Sequence, residues 1–213
     1  GDGVTAAFGS PVDAVFQIDT VSDGIVGGSL PSAVNYTFDT GAQSFALSTY
    51  DSQPPNPKNL AGPNSPTTPT LTWDGTASMP AGGGSLQVGV TYSDFRQYVD
   101  AAINLSSLDL TGKTLHAFVM LDSGPFNGGV QLHAGSGPNY TFAASTYTSF
   151  EAVYLSWIEL TLDLTAAESS VTGFTANDIR QIGVQFSTGD PYEGGTIDAP
   201  FDVVFHIDSI TAQ

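Results

Sequence analysis

The stretch Pro200-Phe-Asp-Val-Val-Phe-His-Ile-Asp-Ser-Ile210 alternates apolar and polar residues as a β-strand does, and it has a second copy near the start of the chain. The earlier copy is Pro11-Val-Asp-Ala-Val-Phe-Gln-Ile-Asp-Thr-Val21, in which Pro, Asp, Val, Phe, Ile and Asp are identical at aligned positions. One chain therefore carries the same strand twice. Two explanations are open: the parent protein is a tandem array of modules, or the first copy pairs with another copy of the protein.

The composition of the chain predicts an all-β fold. Of 213 residues, 40% are hydrophobic and only 12% are charged, with 24 Gly and 13 Pro. Many short alternating segments follow one another without helices between them, which indicates antiparallel sheets. We expect strands at 70–74, 85–92, 96–103, 114–122, 129–134, 139–145, 157–163, 181–187 and 201–211, and a long proline-rich loop at 51–69.

The chain divides into an N-terminal extension, residues 1–32, and a main domain, residues 33–213. The extension contains the repeated strand and a glycine-rich linker. Because residues 11–21 have the same alternation as residues 200–210, we expect them to form an extra strand that buries Val15 and either Phe16 or Ile18 against a sheet. These three residues are the predicted assembly strand.

The charge of the chain excludes several classes of partner. There are 21 acidic and four basic residues, so the formal net charge is −17. Nucleic acid and anionic membranes are therefore excluded as partners. The chain has no Cys and no apolar run of the roughly 18 residues that cross a membrane. A start at Gly1 is typical of a processed domain, and we expect an extracellular protein, either secreted or at the cell surface.

Several motifs resemble one family in the right order. They include Gly84-Ser-Leu-Gln-Val-Gly-Val90, Leu108-Asp-Leu-Thr-Gly-Lys-Thr-Leu115, Ile179-Arg-Gln-Ile-Gly-Val-Gln-Phe186 and Phe205-His-Ile-Asp-Ser-Ile210. Together they are similar to the jelly-roll, galactose-binding-like carbohydrate-binding modules of bacterial extracellular glycanases. The resemblance implies a two-sheet antiparallel β-sandwich, with a sugar site on the concave face or at the loop edge.

The resemblance also implies a structural calcium ion. Such modules often bind calcium through a carboxylate at the start of the domain and another in the final strand, and Asp39 and Asp208 occupy the matching positions. The family more often has Glu at the first of these. Calcium needs six to eight oxygen ligands, so backbone carbonyls and water would complete the shell. The alternative is that both carboxylates accept hydrogen bonds from nearby amides.

Sugar binding needs a flat aromatic face and a few fixed polar groups. Strand alternation turns Gln131 and His133 away from Val130 and Leu132, and it does the same for Gln185. The complete set of candidate carbohydrate-binding residues is Arg96, Tyr98, Phe126, Gln131, His133, Gln185 and Tyr192. The alternative is a solvated polar face, with loop aromatics that cap the core. The family match places Trp73 and Trp157 at positions that look structural, so we interpret both as core residues.

The sequence favours a protein that is not an enzyme. The three histidines show no metal-binding spacing, and there is no Gly-x-Ser-x-Gly elbow and no cysteine nucleophile. Two functions remain. The first is a non-catalytic module that attaches to polysaccharide. The alternative is a structural subunit of an extracellular fibre or surface array, assembled head-to-tail by donation of residues 11–21.

Overall fold

The computed structural model describes residues 34–49, 67–79, 83–93, 95, 97–167, 169–188 and 200–213. All of them belong to one compact unit, Pro31–Gln213. Several predicted features lie outside the described residues: the strand at 11–21 with Val15, Phe16 and Ile18, the domain boundary after residue 32, Arg96 and Tyr192. They stay predictions.

The described residues form strands joined by turns. The strands are β1 Asn35–Tyr36, β2 Ala46–Thr49, β3 Thr67–Asp74, β4 Ser85–Tyr92, β5 Tyr98–Leu108, β6 Thr114–Ser123, β7 Gly129–Ser136, β8 Thr141–Ala144, β9 Thr148–Ser149, β10 Ile158–Asp163, β11 Ser169–Ser170, β12 Ile179–Ser187 and β13 Phe201–Ala212. Among the described residues, no helix is long and apolar enough to cross a membrane. The predicted all-β fold is confirmed.

The strands build two antiparallel sheets. In the first sheet the order is β10-β6-β13-β4-β3, and β1 pairs with the end of β13. In the second sheet it is β11-β8-β7-β12-β5-β2, and β9 pairs with β7. The C-terminal copy of the repeated strand is therefore a central strand, hydrogen-bonded to β4 on one side and β6 on the other.

A core of buried apolar side chains lies between the two sheets. The alternating residues Leu115, Ala117, Val119 and Leu121 of β6 are fully buried, and their neighbours are not. On β13, Phe205 stacks on Phe186 of the second sheet with ring centroids 4.1 Å apart. This alternation gives each sheet one core face and one outer face, as in a β-sandwich. The predicted two-sheet sandwich is confirmed.

Proline confines β3 to an edge. The proline-rich stretch was expected to extend to residue 69, but β3 begins at Thr67 and includes Pro69. A proline cannot donate to a ladder, so it is tolerated in a strand that is paired on one side only. Among the described strands, β3 pairs only with β4, with a register irregularity between Thr67 and Thr70.

Candidate functional site

A groove of about 640 Å³ lies on the outer face of the second sheet. Its lining residues are Ser48, Tyr98, Asn104, Asn139, Tyr140, Phe142, Val171, Gln181 and Gln185. These nine side chains are uncharged, and most carry an amide, a hydroxyl or an aromatic ring. A neutral ligand rich in hydroxyl groups matches this chemistry.

Strand alternation and register position the polar side chains of the groove. Val99 and Ala101 of β5 are buried in the core, so Tyr98 and Asn104 lie on the opposite face. On β12 the same alternation puts Gln185 on this face, opposite Gln131 of β7 in the register. Sequence alternation therefore selects the face, and the pairing of distant strands brings the side chains together.

Two pairs of side chains are fixed by hydrogen bonds. The Gln131 Nε2 donates to the Gln185 Oε1 at 2.9 Å, and the Gln181 Nε2 donates to the Asn104 Oδ1 at 2.9 Å. Each amide group has two N–H donors and one oxygen acceptor, so these pairs do not exhaust its hydrogen-bonding capacity. The amides are oriented before any ligand arrives.

Tyr140 and Phe142 supply aromatic surface at one side of the groove. Tyr140 has a φ of 51° at the end of a turn, and 45% of the residue is exposed. The missing side chain of Gly135 leaves room for it, because a Cβ on this glycine would lie 3.3 Å from two Tyr140 side-chain carbons. An exposed aromatic ring beside fixed amides is an arrangement suited to a sugar ring.

His133 lies beneath the groove. Its side chain is fully buried and stacks on Phe142, with ring centroids 5.3 Å apart and an interplanar angle of 23°. The Nε2 atom is 3.7 Å from the Oδ1 of buried Asp100. Gly183 provides the space, since a Cβ there would lie 2.8 Å from the His133 Nε2. Burial lowers the pKa of His133 to about 4, so the imidazole is neutral at physiological pH.

Asp39 and Asp208 lie within electrostatic reach of each other, away from the groove. Asp208 is 2% exposed, and its carboxylate accepts hydrogen bonds from the Met79 N–H and, at 3.0 Å, from the Ser209 hydroxyl. Burial raises the pKa of Asp208, and the negative charge of Asp39 raises it further. The residues flanking the two carboxylates, Phe38 and Ser209, have φ angles of 53° and 51°. Two carboxylates within electrostatic reach of each other could contribute oxygen ligands to a hard cation.

Several solved structures are similar to this chain in fold. One is a carbohydrate-binding module of the β-sandwich superfamily with promiscuous specificity. Its TM-score is 0.58 and its sequence identity is 15%, and the match covers 86% of this chain and 62% of the other chain. A family 11 carbohydrate-binding module from Clostridium thermocellum, in complex with a β-1,3-1,4-mixed-linked tetrasaccharide, has a TM-score of 0.50 and 10% identity over 85% of this chain and 96% of its own.

The fold is that of the β-sandwich carbohydrate-binding modules. An exo-β-agarase structure is similar to this chain over 84% of this chain and 25% of its own length, with a TM-score of 0.53 and 9% identity. No protein-family model matches the sequence, and no curated protein matches it significantly. The chain spans less than two thirds of the first of these solved structures. The resemblance in fold stated from the sequence motifs is confirmed.

Only some of the predicted carbohydrate-binding residues lie together at the groove. Tyr98 and Gln185 line the groove, and Gln131 is hydrogen-bonded to Gln185 beside it. His133 lies below the surface, where it supports Phe142 and offers no exposed atom to a ligand. Phe126 lies in the loop after β6, outside the groove lining. The role of each residue in binding stays a prediction.

Phe126 belongs to a separate exposed pair. Its ring packs edge-to-face on Tyr154, with centroids 4.9 Å apart, and the two residues are 47% and 38% exposed. Sequence reasoning missed most of the groove lining, namely Ser48, Asn104, Asn139, Tyr140, Phe142, Val171 and Gln181. One available signal was the Gly-Pro-Asn-Tyr turn ending at Tyr140, which places an aromatic residue among turn formers.

His206 belongs to a polar cluster on the outer face of the first sheet. The Ser85 hydroxyl lies 2.9 Å from the His206 Nδ1, and an Asp74 oxygen lies 4.0 Å from the same nitrogen. In a nucleophile–base–carboxylate relay the serine and the carboxylate use different ring nitrogens. Ser85 is also fully buried. This cluster therefore cross-links β4 and β13 and does not have the geometry of an activated serine.

Proposed function

We propose that this chain is a non-catalytic, extracellular module that binds polysaccharide in the groove of the second sheet. The observation that carries the proposal is the groove itself. It combines fixed Gln181 and Gln185 amides with the half-exposed ring of Tyr140 and has no charged lining residue among those described. A family 11 carbohydrate-binding module of similar fold is in complex with a β-1,3-1,4-mixed-linked tetrasaccharide, which supports the choice of ligand class.

The composition of the groove fits weak, reversible binding of a neutral sugar chain. Aromatic rings stack on the C–H faces of pyranoses, and side-chain amides bind their hydroxyl groups. The cavity volume lies within the range of small-molecule sites, roughly 300–1,000 Å³. The net charge of −17 disfavours polyanionic glycans, because the field of the whole protein repels them.

We also propose that Asp39 and Asp208 hold a calcium ion that stabilises the fold. Support comes from the buried Asp208 carboxyl, whose pKa is raised by burial and also by the charge of Asp39, because a divalent cation would stabilise its ionised form. No cluster of three or more metal-binding side chains occurs within the described ranges. The remaining ligands would therefore be backbone carbonyls and water, which calcium accepts readily.

Affinity electrophoresis tests the groove. Neutral plant or algal polysaccharides in the gel should retard the protein with micromolar to millimolar affinity. Alanine at Tyr98, Gln131, Tyr140 or Gln185 should weaken the binding by about 1 kcal/mol or more, which is about fivefold, because a hydrogen bond or a stacking contact is lost.

The chain offers matched controls for this experiment. Tyr154→Ala removes a tyrosine of similar exposure outside the groove, and Gln87→Ala removes a glutamine from the outer face of the first sheet. Both controls should bind as the wild type does. Equal losses in groove and control variants would contradict the groove assignment, and no retardation of the wild type on any neutral polysaccharide would contradict polysaccharide binding.

The repeated strand favours a second candidate function, a structural subunit that donates residues 11–21 to a neighbouring molecule. The copy at 200–210 is a central strand of the sandwich, with Phe205 and Ile207 fully buried. The earlier copy has Phe16 and Ile18 at the corresponding positions, so it retains two of the core residues that the strand needs.

A further inference from the structure

Trp73 is a half-exposed aromatic residue on the first sheet. It was expected in the core, and its register partner Leu86 is fully buried, yet 45% of Trp73 is exposed. The reason is its position at the end of the edge strand β3. The indole ring lies over the end of the β3–β4 hairpin, where the sandwich has no further strand to cover it among the described residues.

A hydrogen bond and two close glycine contacts hold the ring of Trp73 in one orientation. Its Nε1 donates a hydrogen bond of 2.6 Å to the carbonyl oxygen of Phe38. The ring also packs on Gly75 and Gly84, because a Cβ on either glycine would collide with ring atoms. An indole fixed in this way loses little conformational entropy when a ligand stacks on it.

The carboxylate of Asp39 lies in the same part of the structure, because Asp39 follows Phe38, the residue that accepts the indole hydrogen bond. Asp39 is exposed, and its Oδ1 lies against Gly83, the neighbour of the glycine that supports the indole. A carboxylate accepts about four hydrogen bonds, so contact with a cation still leaves oxygen lone pairs for a sugar hydroxyl. An immobilised indole face beside a hydrogen-bond acceptor has the two elements that a single pyranose needs.

Trp73 lies outside the groove, but its strand is in contact with a strand that contributes to the groove. Trp73 is absent from the groove lining, which belongs to the second sheet. Its strand β3 is nevertheless in contact with β2, the edge strand of the second sheet that contributes Ser48 to the groove. A polymer is long enough to use both places, whereas a short oligosaccharide bound in the groove is not required to reach Trp73.

We propose that Trp73 is a second glycan contact, which stacks on one pyranose ring of a neutral polysaccharide while Asp39 accepts a hydrogen bond from it. The inference rests on the proposed polysaccharide binding. Two linked contacts on one polymer raise the overall affinity because the second contact forms intramolecularly. Loss of Trp73 therefore weakens binding of the polymer and leaves binding of short oligosaccharides in the groove unchanged.

Tryptophan fluorescence tests the contact directly, because the chain has only two tryptophans. In the Trp157→Phe variant, Trp73 is the sole emitter. A neutral polysaccharide that retards the wild type should shift its emission and protect it from acrylamide quenching. The control is the Trp73→Phe variant, in which Trp157 is the sole emitter and should not respond. An unchanged emission and quenching constant for Trp73 at saturating polysaccharide would overturn the proposal.

Affinity electrophoresis separates this proposal from the groove. Trp73→Ala should weaken polymer binding by about three- to tenfold and leave tetrasaccharide binding intact, whereas Gln185→Ala should weaken both. Wild-type polymer affinity in a folded Trp73→Ala variant would overturn the second contact alone. Failure of the wild type to bind any polysaccharide would overturn both proposals. If Trp73→Ala does not fold, the fluorescence result decides.

Discussion

Acidification should destabilise this protein through His133. The imidazole is fully buried, and burial lowers its pKa from 6.5 to about 4 even though Asp100 lies 3.7 Å away. The unfolded chain therefore binds a proton between these two pH values, and the folded protein does not. The contribution of neutral His133 to the free energy of unfolding is complete above pH 6.5, and it is lost as the pH falls towards 4.

The magnitude follows from the two pKa values. Each pKa unit corresponds to about 1.4 kcal/mol, so the free energy of unfolding should fall by about 3 kcal/mol over this range on account of His133. Burial also lowers the pKa of His206 and adds to the fall, whereas the raised pKa of Asp208 acts in the opposite direction. The contribution of His133 must therefore be measured as a difference between variants.

Urea unfolding of the wild type and of His133→Gln at several pH values between 4 and 7 supplies that difference. Glutamine is polar and does not titrate, so its variant should lose stability less steeply with acid, whatever its stability at pH 7. The two curves should converge by about 3 kcal/mol between pH 6.5 and 4. Parallel curves would refute the argument, because they would show that His133 is protonated equally in the folded and unfolded states.

Three further predictions concern the metal, the floor of the groove and the repeated strand. Chelation should lower the melting temperature of the wild type, since an ion that binds only the folded state stabilises it. The Asp208→Asn variant should not respond to the chelator. An unchanged wild-type melting curve, together with no metal by elemental analysis, would count against calcium. Gly183→Ala should cost about 1–3 kcal/mol in urea unfolding, because its Cβ would lie 2.6 Å from the Ala102 Cβ, and Ala102→Gly should recover part of the loss; a neutral effect would mean that the sheet adjusts there freely. Deleting residues 1–24 should leave a folded, soluble monomer and abolish any higher assembly that depends on strand donation, as measured by light scattering; the same assembly after deletion would exclude donation.

The sequence predicted the strands well because strand alternation is a local property. The expected strand at 114–122 is β6 at Thr114–Ser123, and the expected strand at 85–92 is β4 with the same bounds. The alternation also assigned faces correctly, since Val130 and Leu132 are in the core while Gln131 is outside it. In a sheet with one buried face, a shift of one residue would move every side chain to the wrong side.

The groove was harder to predict because it depends on which distant strands lie side by side. Gln185 meets Gln131 only through the pairing of β12 with β7, and the sequence pattern of either strand does not specify its partner. The burial of His133 has the same origin. The burial of His133 requires Gly183 on one neighbouring strand and Phe142 on the other. The sequence around His133 does not indicate either neighbour.

The central position of β13 has a consequence for synthesis of the protein. Until residues 201–212 leave the ribosome, the first sheet consists of two separate pieces, β10 with β6 and β4 with β3, and each presents an unpaired edge to the gap. At about 5–20 residues per second, the 120 residues between the end of β4 at Tyr92 and the end of β13 at Ala212 take about 6–24 s to synthesise, and the edge of β4 stays unpaired for that time. Exposed edges pair with other chains, so the nascent protein is most prone to aggregation before β13 emerges and fills the gap. Slower growth at low temperature or a holding chaperone should therefore improve the soluble yield more than stabilising substitutions in the finished sandwich.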